Sequence, residues 1–132
     1  MARYQQWLST WKDRGLLEKV RPIEPKNLAE IERALPPAGY LDFLNEVGYG
    51  SLGKANLQIY NGFLSAKEAV GRDIPESDDL LIFSDDFAGT SFLFRKSKMG
   101  PVFSIDSEIM EISEEGDDFQ SFITQYLNNL IK

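Results

Sequence analysis

The sequence predicts a single α+β domain, in which an antiparallel-rich β-meander sheet is packed by N-terminal helices and a C-terminal helix. Three observations support this fold class. Apolar residues recur at helical spacing before residue 48, form short strand-like runs from residue 57 to residue 113, and return to helical spacing after residue 118. The 132 residues are 42% hydrophobic and show no repeat or linker, so one core is expected for residues 1–132. Segregated helices and strands are typical of the α+β class.

The first helix is predicted from an aromatic stripe. Tyr4, Trp7, Leu8 and Trp11 lie at i, i+3, i+4 and i+7, which places them on one face of a helix. Aromatic residues at this spacing usually face a core. Tryptophans on a peripheral helix also serve as interface anchors, so both interpretations stay open.

Two further helices are predicted around a pair of prolines. The second covers residues 27–35, with Asn27 as its N-cap and Leu35 on its buried side. The third starts at Pro36 and ends before Gly48, since proline suits a first helical turn and glycine the position after a last one. The following run, GYGSLG, is predicted to be a flexible connection to the first strand. A dinucleotide loop would instead follow a strand and open a helix.

The strands are predicted from alternating patterns and short separators. The first is NLQIYNGF, and a short helix at SAKEAVG follows it, with Ser65 and Glu68 at capping-box spacing. The runs LLIFS, TSFLFR, PVFSID and IMEIS are then joined by hairpin-length connections, so antiparallel neighbours are expected. The run EEGDD is predicted to be the last turn, with Asp117 or Asp118 capping the C-terminal helix.

The residue types that the chain lacks restrict its chemistry. There is no cysteine and no histidine, which excludes thiolate and Ser–His nucleophiles and zinc or haem sites built on these side chains. Acid–base work by carboxylates remains, for example by Glu108 with Glu111 or by Glu114 with Asp118. These residues lie where a solvated strand face and a turn are expected. We therefore predict a protein that is not an enzyme, with no catalytic residue, cofactor or metal.

The stretch SDDFAGT, residues 84–90, has two interpretations. Asp85, Asp86 and the flanking hydroxyls resemble a cation site. An EF-hand that began at Asp85 would need a glutamate at its twelfth position, where the chain has Lys96, and no P-loop motif is present. Aspartate is also typical of turns, and Gly89 can adopt the positive φ of a chain reversal. A tight turn between two strands is the favoured interpretation.

The charge of the chain is distributed unevenly. The net charge is −7, yet the segment from Glu76 to Asp118 alone carries twelve acidic and three basic residues. A field of that sign repels nucleic-acid phosphates and favours basic proteins, so no nucleic-acid partner is expected. No apolar run has the length of a signal peptide or a membrane span, which predicts a cytoplasmic protein without membrane association.

Several of these features, taken in order, resemble the SUKH superfamily. They are an LP turn leading into YLDFLNEVG, a glycine-rich crossing to NLQIYNG, the run LLIFSDDFAGTSFLF, the strand GPVFSID and the terminal helix DDFQSFITQYL. The superfamily includes fungal cell-wall-synthesis regulators and many bacterial immunity proteins against polymorphic toxins. The resemblance spans residues 28–130, and Pro37 and Gly39 depart from it, since the family more often has charged residues there.

The resemblance implies a non-enzymatic protein that works by binding. A bacterial member would neutralise a cognate toxin domain, often a nuclease, and an acidic surface suits a nuclease because that partner must present lysine and arginine to phosphates. A regulatory or adaptor protein of the same fold with a non-toxin partner is the alternative, and the chain would be a monomer or a weak homodimer. The predicted partner-binding residues are Asp78, Asp79, Asp85, Asp86, Glu114, Glu115, Asp117 and Asp118.

Overall fold

A computed structural model describes residues 2–131 as one antiparallel sheet with helices on both faces. The strands are β1 (Lys19–Arg21), β2 (Tyr49–Leu52), β3 (Leu57–Leu64), β4 (Leu80–Asp85), β5 (Thr90–Arg95), β6 (Lys98–Asp106) and β7 (Ile112–Gly116). The helices are α1 (Gln5–Asp13), α2 (Pro25–Arg33), α3 (Ala38–Glu46), α4 (Ala66–Val70) and α5 (Phe119–Leu130), and a 3₁₀ turn at Ser77–Asp79 precedes β4.

The seven strands form a meander, because each strand pairs with the next one in the chain, from β1 at one edge to β7 at the other. Every pairing is antiparallel. The predicted α+β meander is therefore confirmed. None of the helices within residues 2–131 has the length and hydropathy that crossing a membrane requires.

The central strands are buried on both faces of the sheet. Successive side chains of β4 point to opposite sides, so Leu81 and Phe83 belong to one apolar cluster and Leu80 and Ile82 to another. The larger cluster also contains residues of α1, α2, α3 and α5, whereas the smaller one contains Ala66 of α4. This double burial explains why LLIF reads as a continuous apolar run rather than as an alternation.

Aromatic side chains fill the centre of the larger cluster. The ring of Tyr40 lies 5.2–5.6 Å from the rings of Phe63, Phe83, Phe94 and Phe119. Each such pair contributes about 0.5–1.5 kcal/mol beyond the area it buries. Helices α3 and α5 are thereby joined to the sheet at one point.

The aromatic stripe of α1 faces this core. Tyr4 and Trp11 are fully buried, and the Trp11 indole N–H donates to Oδ1 of Asn128 at 3.0 Å. Trp7 is half-buried and stacks on Trp11 with ring centroids 6.0 Å apart. The core interpretation of the stripe is confirmed for Tyr4 and Trp11.

Two of the predicted helix caps are present. Oγ of Ser65 accepts the Glu68 amide at 3.2 Å while Oε1 of Glu68 accepts the Ser65 amide at 3.0 Å, which is a complete capping box. Oδ1 of Asp118 accepts the Ser121 amide at 2.7 Å and so caps α5. The prediction of Asn27 as the N-cap of the second helix was wrong, because this helix begins earlier, at Pro25, with Glu24 at the cap position.

The prediction of a flexible connection at GYGSLG was wrong. Residues 49–52 form β2, which pairs with β1 on one side and β3 on the other. Gly50 has a φ of +123°, and a Cβ there would lie 2.6 Å from the carbonyl oxygen of Lys19. Glycine is therefore needed for the close approach of the two strands, and its presence disguised a strand as a loop.

Two expectations about apolar residues were also wrong. Leu35 is 81% exposed with a φ of +54°, because the chain leaves α2 after Ala34 and turns this side chain outward. In IMEIS, Ile109 and Met110 belong to a turn, and pairing with β6 starts only at Ile112.

Candidate protein-interaction surface

The structure distributes the eight predicted residues over three places. Two precede β4, two lie at its C-terminal end, where Asp85 is its last residue, and four lie along β7 and at the start of α5. Because β4 contains six residues, about 20 Å separate its two ends. In chain order the three groups are Asp78 with Asp79, Asp85 with Asp86, and Glu114, Glu115, Asp117 and Asp118.

Asp79 is engaged within the fold. Its carboxylate accepts the Ser97 hydroxyl at 2.6 Å, the Ser97 amide at 2.7 Å and Nε of Arg95 at 3.1 Å. The hydrogen bond from the Ser97 hydroxyl, together with Arg95, lowers the pKa of Asp79 below its ordinary value. Arg95 also pairs with Glu76 at 2.9 Å and lies 5.7 Å over the ring of Phe103. This carboxylate stabilises the hairpin that joins β5 to β6.

All three basic residues of the segment 76–118 lie in that same hairpin. They are Arg95, Lys96 and Lys98, and Nζ of Lys98 lies 3.3 Å from Oε1 of Glu114. The positive charge of the segment thus compensates carboxylates at this end of the sheet. The excess of acidic over basic residues in the segment 76–118 therefore lies outside this hairpin.

At the opposite end, residues 85–90 form the β4–β5 turn. Oδ1 of Asp85 accepts the Phe87 amide at 2.8 Å, and its other oxygen accepts the hydroxyl of Tyr60. Oδ1 of Asp86 accepts two turn amides, at 2.8 and 3.0 Å. Gly89 has a φ of +101°. The turn interpretation of SDDFAGT is confirmed, and within residues 2–131 no three histidine, cysteine or acidic side chains are grouped so that they could hold a metal ion.

The β6–β7 turn is built in the same way and lies against the first one. Oδ1 of Asp106 accepts the amides of Glu108 at 2.8 Å and Ile109 at 3.2 Å. The Ser107 amide donates to the carbonyl oxygen of Gly89 at 2.9 Å, which joins the two turns directly. We call residues 85–90 and 106–111 together the acidic turn pair.

The acidic turn pair carries charge of one sign. Its ranges contain five carboxylates and no lysine or arginine, whereas Arg14, Lys19 and Lys54 line a neighbouring pocket beside the β2–β3 turn. Burial raises the pKa of Tyr60, and the Asp85 carboxylate raises it further, so this phenol stays neutral beside the turn. The carboxylates are Asp85, Asp86, Asp106, Glu108 and Glu111.

A groove of about 410 Å³ between β7 and α5 carries further carboxylates. Glu115, Asp117 and Asp118 line it, and Oε2 of Glu115 accepts the Ser104 hydroxyl at 2.6 Å. Tyr126 also lines the groove, and its pKa is raised by burial first and then by the charge of Asp86. The end of the groove at Tyr126 therefore lies near Asp86, whereas Asp117 and Asp118 follow Gly116 at the end of β7 that is far from the β6–β7 turn. Asp78 and Asp79 lie at the other end of the sheet from the acidic turn pair.

Sequence reasoning did not identify Asp106 as part of this surface, and it considered Glu108 and Glu111 only as a catalytic pair. It also missed two exposed apolar side chains on the turns, Phe87 and Ile109. The signal was present in both turns, since an aspartate precedes an apolar residue by two or three positions in each. The sequence does not show that the two turns are neighbours, because the contact between Gly89 and Ser107 depends on the strand register.

Comparison of the chain with family models, with curated proteins and with solved structures finds no match. The likeness to the SUKH superfamily thus remains a prediction from the sequence.

Proposed function

We propose that this chain is a non-enzymatic binding protein that contacts a basic protein partner through its acidic surface. One observation carries the proposal. The cations of the segment 76–118 are gathered at one end of the sheet, and the acidic turn pair at the other end is left with five carboxylates. A one-signed patch of this kind attracts partners of opposite charge and raises their association rate.

The resemblance to the SUKH superfamily suggests what kind of partner this is. An immunity protein must reach its toxin before damage is done, and electrostatic steering acts mainly on the rate of association. A nuclease toxin binds phosphates with lysine and arginine, so its active face would complement the acidic turn pair. In the proposed function the chain neutralises a cognate polymorphic toxin, and the regulatory or adaptor role is the alternative.

The first test is a pull-down with tagged protein from the native cell lysate at moderate salt, followed by mass spectrometry. One stoichiometric partner with a basic nuclease-like domain supports the immunity function. Recovery of signalling or cell-envelope proteins instead would favour the regulatory role. Recovery of no specific protein would contradict both.

Charge reversal then tests the surface itself. The double variant Glu108→Lys/Glu111→Lys changes the turn pair without touching the aspartates that accept its backbone amides. We expect association with the partner to slow about 10-fold or more at low salt, and the difference to shrink near 1 M salt, where the Debye length is about 3 Å.

The matched control is Glu30→Lys/Glu32→Lys, which makes the same charge change at exposed positions of α2. Its association rate should fall by less than the rate of the turn variant, because α2 packs against β3 and α3 and is not part of the acidic turn pair. Equal losses for the two double variants would show that net charge alone, and not this surface, attracts the partner.

A further inference from the structure

We infer that Phe87 and Ile109 are the apolar anchors of the docking surface, and that they insert into apolar pockets on a basic protein. The inference rests on the proposed function and names the contacts that would supply the affinity for the partner. Carboxylates alone mainly steer a partner, whereas buried apolar groups at the centre of an interface supply most of its binding energy.

Exposure singles these two residues out. Among residues 2–131, the large apolar side chains that are exposed are Leu35 at 81%, Ile109 at 64% and Phe87 at 49%. Two of the three therefore lie on the acidic turn pair, although it comprises only residues 85–90 and 106–111. Apolar side chains surrounded by polar ones are typical of an interface with an apolar centre and a charged rim.

The fold also fixes the backbone that carries the two anchors. The amide of Phe87 is bound by Asp85 and the amide of Ile109 by Asp106, so each anchor is attached to a carboxylate at the base of its own turn. Binding to turns whose backbone is already hydrogen-bonded costs less conformational entropy than ordering flexible loops.

The two anchors are close enough to act in one interface. Phe87 is two residues from Gly89, Ile109 is two residues from Ser107, and a 2.9 Å hydrogen bond joins Gly89 to Ser107. Two residues span at most about 7 Å, so the anchor Cα atoms lie within roughly 20 Å of each other. A standard interface of about 800 Å² per partner is roughly 30 Å across and accommodates both.

The five carboxylates around the two anchors indicate which kind of protein binds there. A second copy of this chain docked symmetrically by the same surface would place five carboxylates opposite the same five, which is unfavourable. A partner with lysine and arginine around apolar pockets would instead compensate the rim while it buries the anchors. We therefore assign the surface to a basic protein.

The test uses Phe87→Asn and Ile109→Asn, with the protein retained in the pull-down as the binding probe. Asparagine tolerates the positive φ of position 87, so Phe87→Asn removes the anchor without straining the turn. The matched control is Leu35→Asn, which replaces a more exposed apolar residue, also at positive φ, outside the acidic turn pair. We expect each anchor variant to raise the Kd about 10-fold or more and the control to leave it within about 2-fold.

The melting temperature separates binding from folding. Phe87→Asn should melt no lower than the wild type, since its side chain is half exposed and its backbone conformation suits asparagine. If both anchor variants changed the Kd by less than 2-fold while Glu108→Lys/Glu111→Lys still slowed association, the assignment of Phe87 and Ile109 as anchors would be wrong. The proposed function would remain.

A photo-crosslinking phenylalanine analogue at position 87 and at position 109 gives a second readout. Crosslinks from both positions to the same basic partner, and none from position 35, are expected. Crosslinks to a second copy of this chain, or a dimer in sedimentation that Phe87→Asn abolishes, would overturn the choice of occupant. Retention of no protein by the wild type would overturn the inference together with the proposed function.

Discussion

Replacing Tyr40 by phenylalanine should stabilise the protein. The Tyr40 hydroxyl is fully buried, and no group of residues 2–131 lies within hydrogen-bonding reach of it. Burial raises the pKa of this phenol, so it stays neutral at neutral pH. The hydroxyl is thus removed from bulk water without a protein partner, and its removal should lower the free energy of the folded state.

The size of the effect follows from two opposing contributions. Burying a hydroxyl without a hydrogen bond costs about 1–3 kcal/mol in proteins. Deleting its oxygen leaves a void of roughly 10 Å³, which costs about 0.2 kcal/mol at about 24 cal/mol per Å³. We expect Tyr40→Phe to gain about 1 kcal/mol or more, which corresponds to a melting temperature about 3–5 °C higher for a chain of this length.

Tyr4→Phe is the matched control. Tyr4 is equally buried and belongs to the same core, but its hydroxyl donates to the carbonyl oxygen of Gly39 at 2.6 Å. Its loss should destabilise the protein by about 1 kcal/mol. Urea denaturation followed by tryptophan fluorescence measures both variants, with an unchanged m-value as the condition for comparing them. If Tyr40→Phe lost stability as Tyr4→Phe does, the Tyr40 hydroxyl would have a hydrogen-bond partner and the argument would fail.

Two further predictions concern the two ends of the sheet. Gly89→Ala should lower the free energy of unfolding by about 1–2 kcal/mol in urea denaturation, because φ is +101° and the new Cβ would lie 3.2 Å from Oγ of Ser107. Unchanged stability would show that the two turns separate easily. Asp79→Asn should be less stable than the wild type at neutral pH, because hydrogen bonds from Ser97 and Arg95 lower the pKa of Asp79 in the folded state. The stabilisation by Asp79 is fully present above the unfolded-state pKa of about 3.9 and is lost as the pH falls through the folded-state pKa. The melting temperatures of the wild type and Asp79→Asn should therefore become equal in acid. A difference in melting temperature that persists in acid would show that the Asp79 charge is not its source.

Local patterns predicted most of the fold. The terminal helix follows from apolar residues at helical spacing after Asp118, and its cap follows from that aspartate, since both depend on neighbours within one turn. The hairpins from β4 to β6 follow from short separators for the same reason. The order of the meander was predictable because each strand needs only its neighbour in the chain.

The failures occurred where distant residues determine the local structure. Gly50 lies in a strand because Lys19 approaches it from β1, and no neighbour in sequence indicates that contact. Leu35 has the spacing of a buried residue, but the helix ends two residues before it, at Arg33. The candidate site was predictable only in part for the same reason. Charge counting identified Asp85 and Asp86, yet the position of the β6–β7 turn beside them depends on strand register.

Within the acidic turn pair, the residues that hold the turns differ from those proposed to contact the partner. Asp85 and Asp106 accept backbone amides, so replacing them would disturb the turns and the surface together. Glu108 and Glu111 contribute charge to the same surface without accepting those amides, and Phe87 projects from a turn that Asp85 maintains. A loss of binding in an aspartate variant therefore could not be assigned to charge, whereas a loss in the glutamate or Phe87 variants could. The proposed partner contacts are best tested at the positions that the fold does not use.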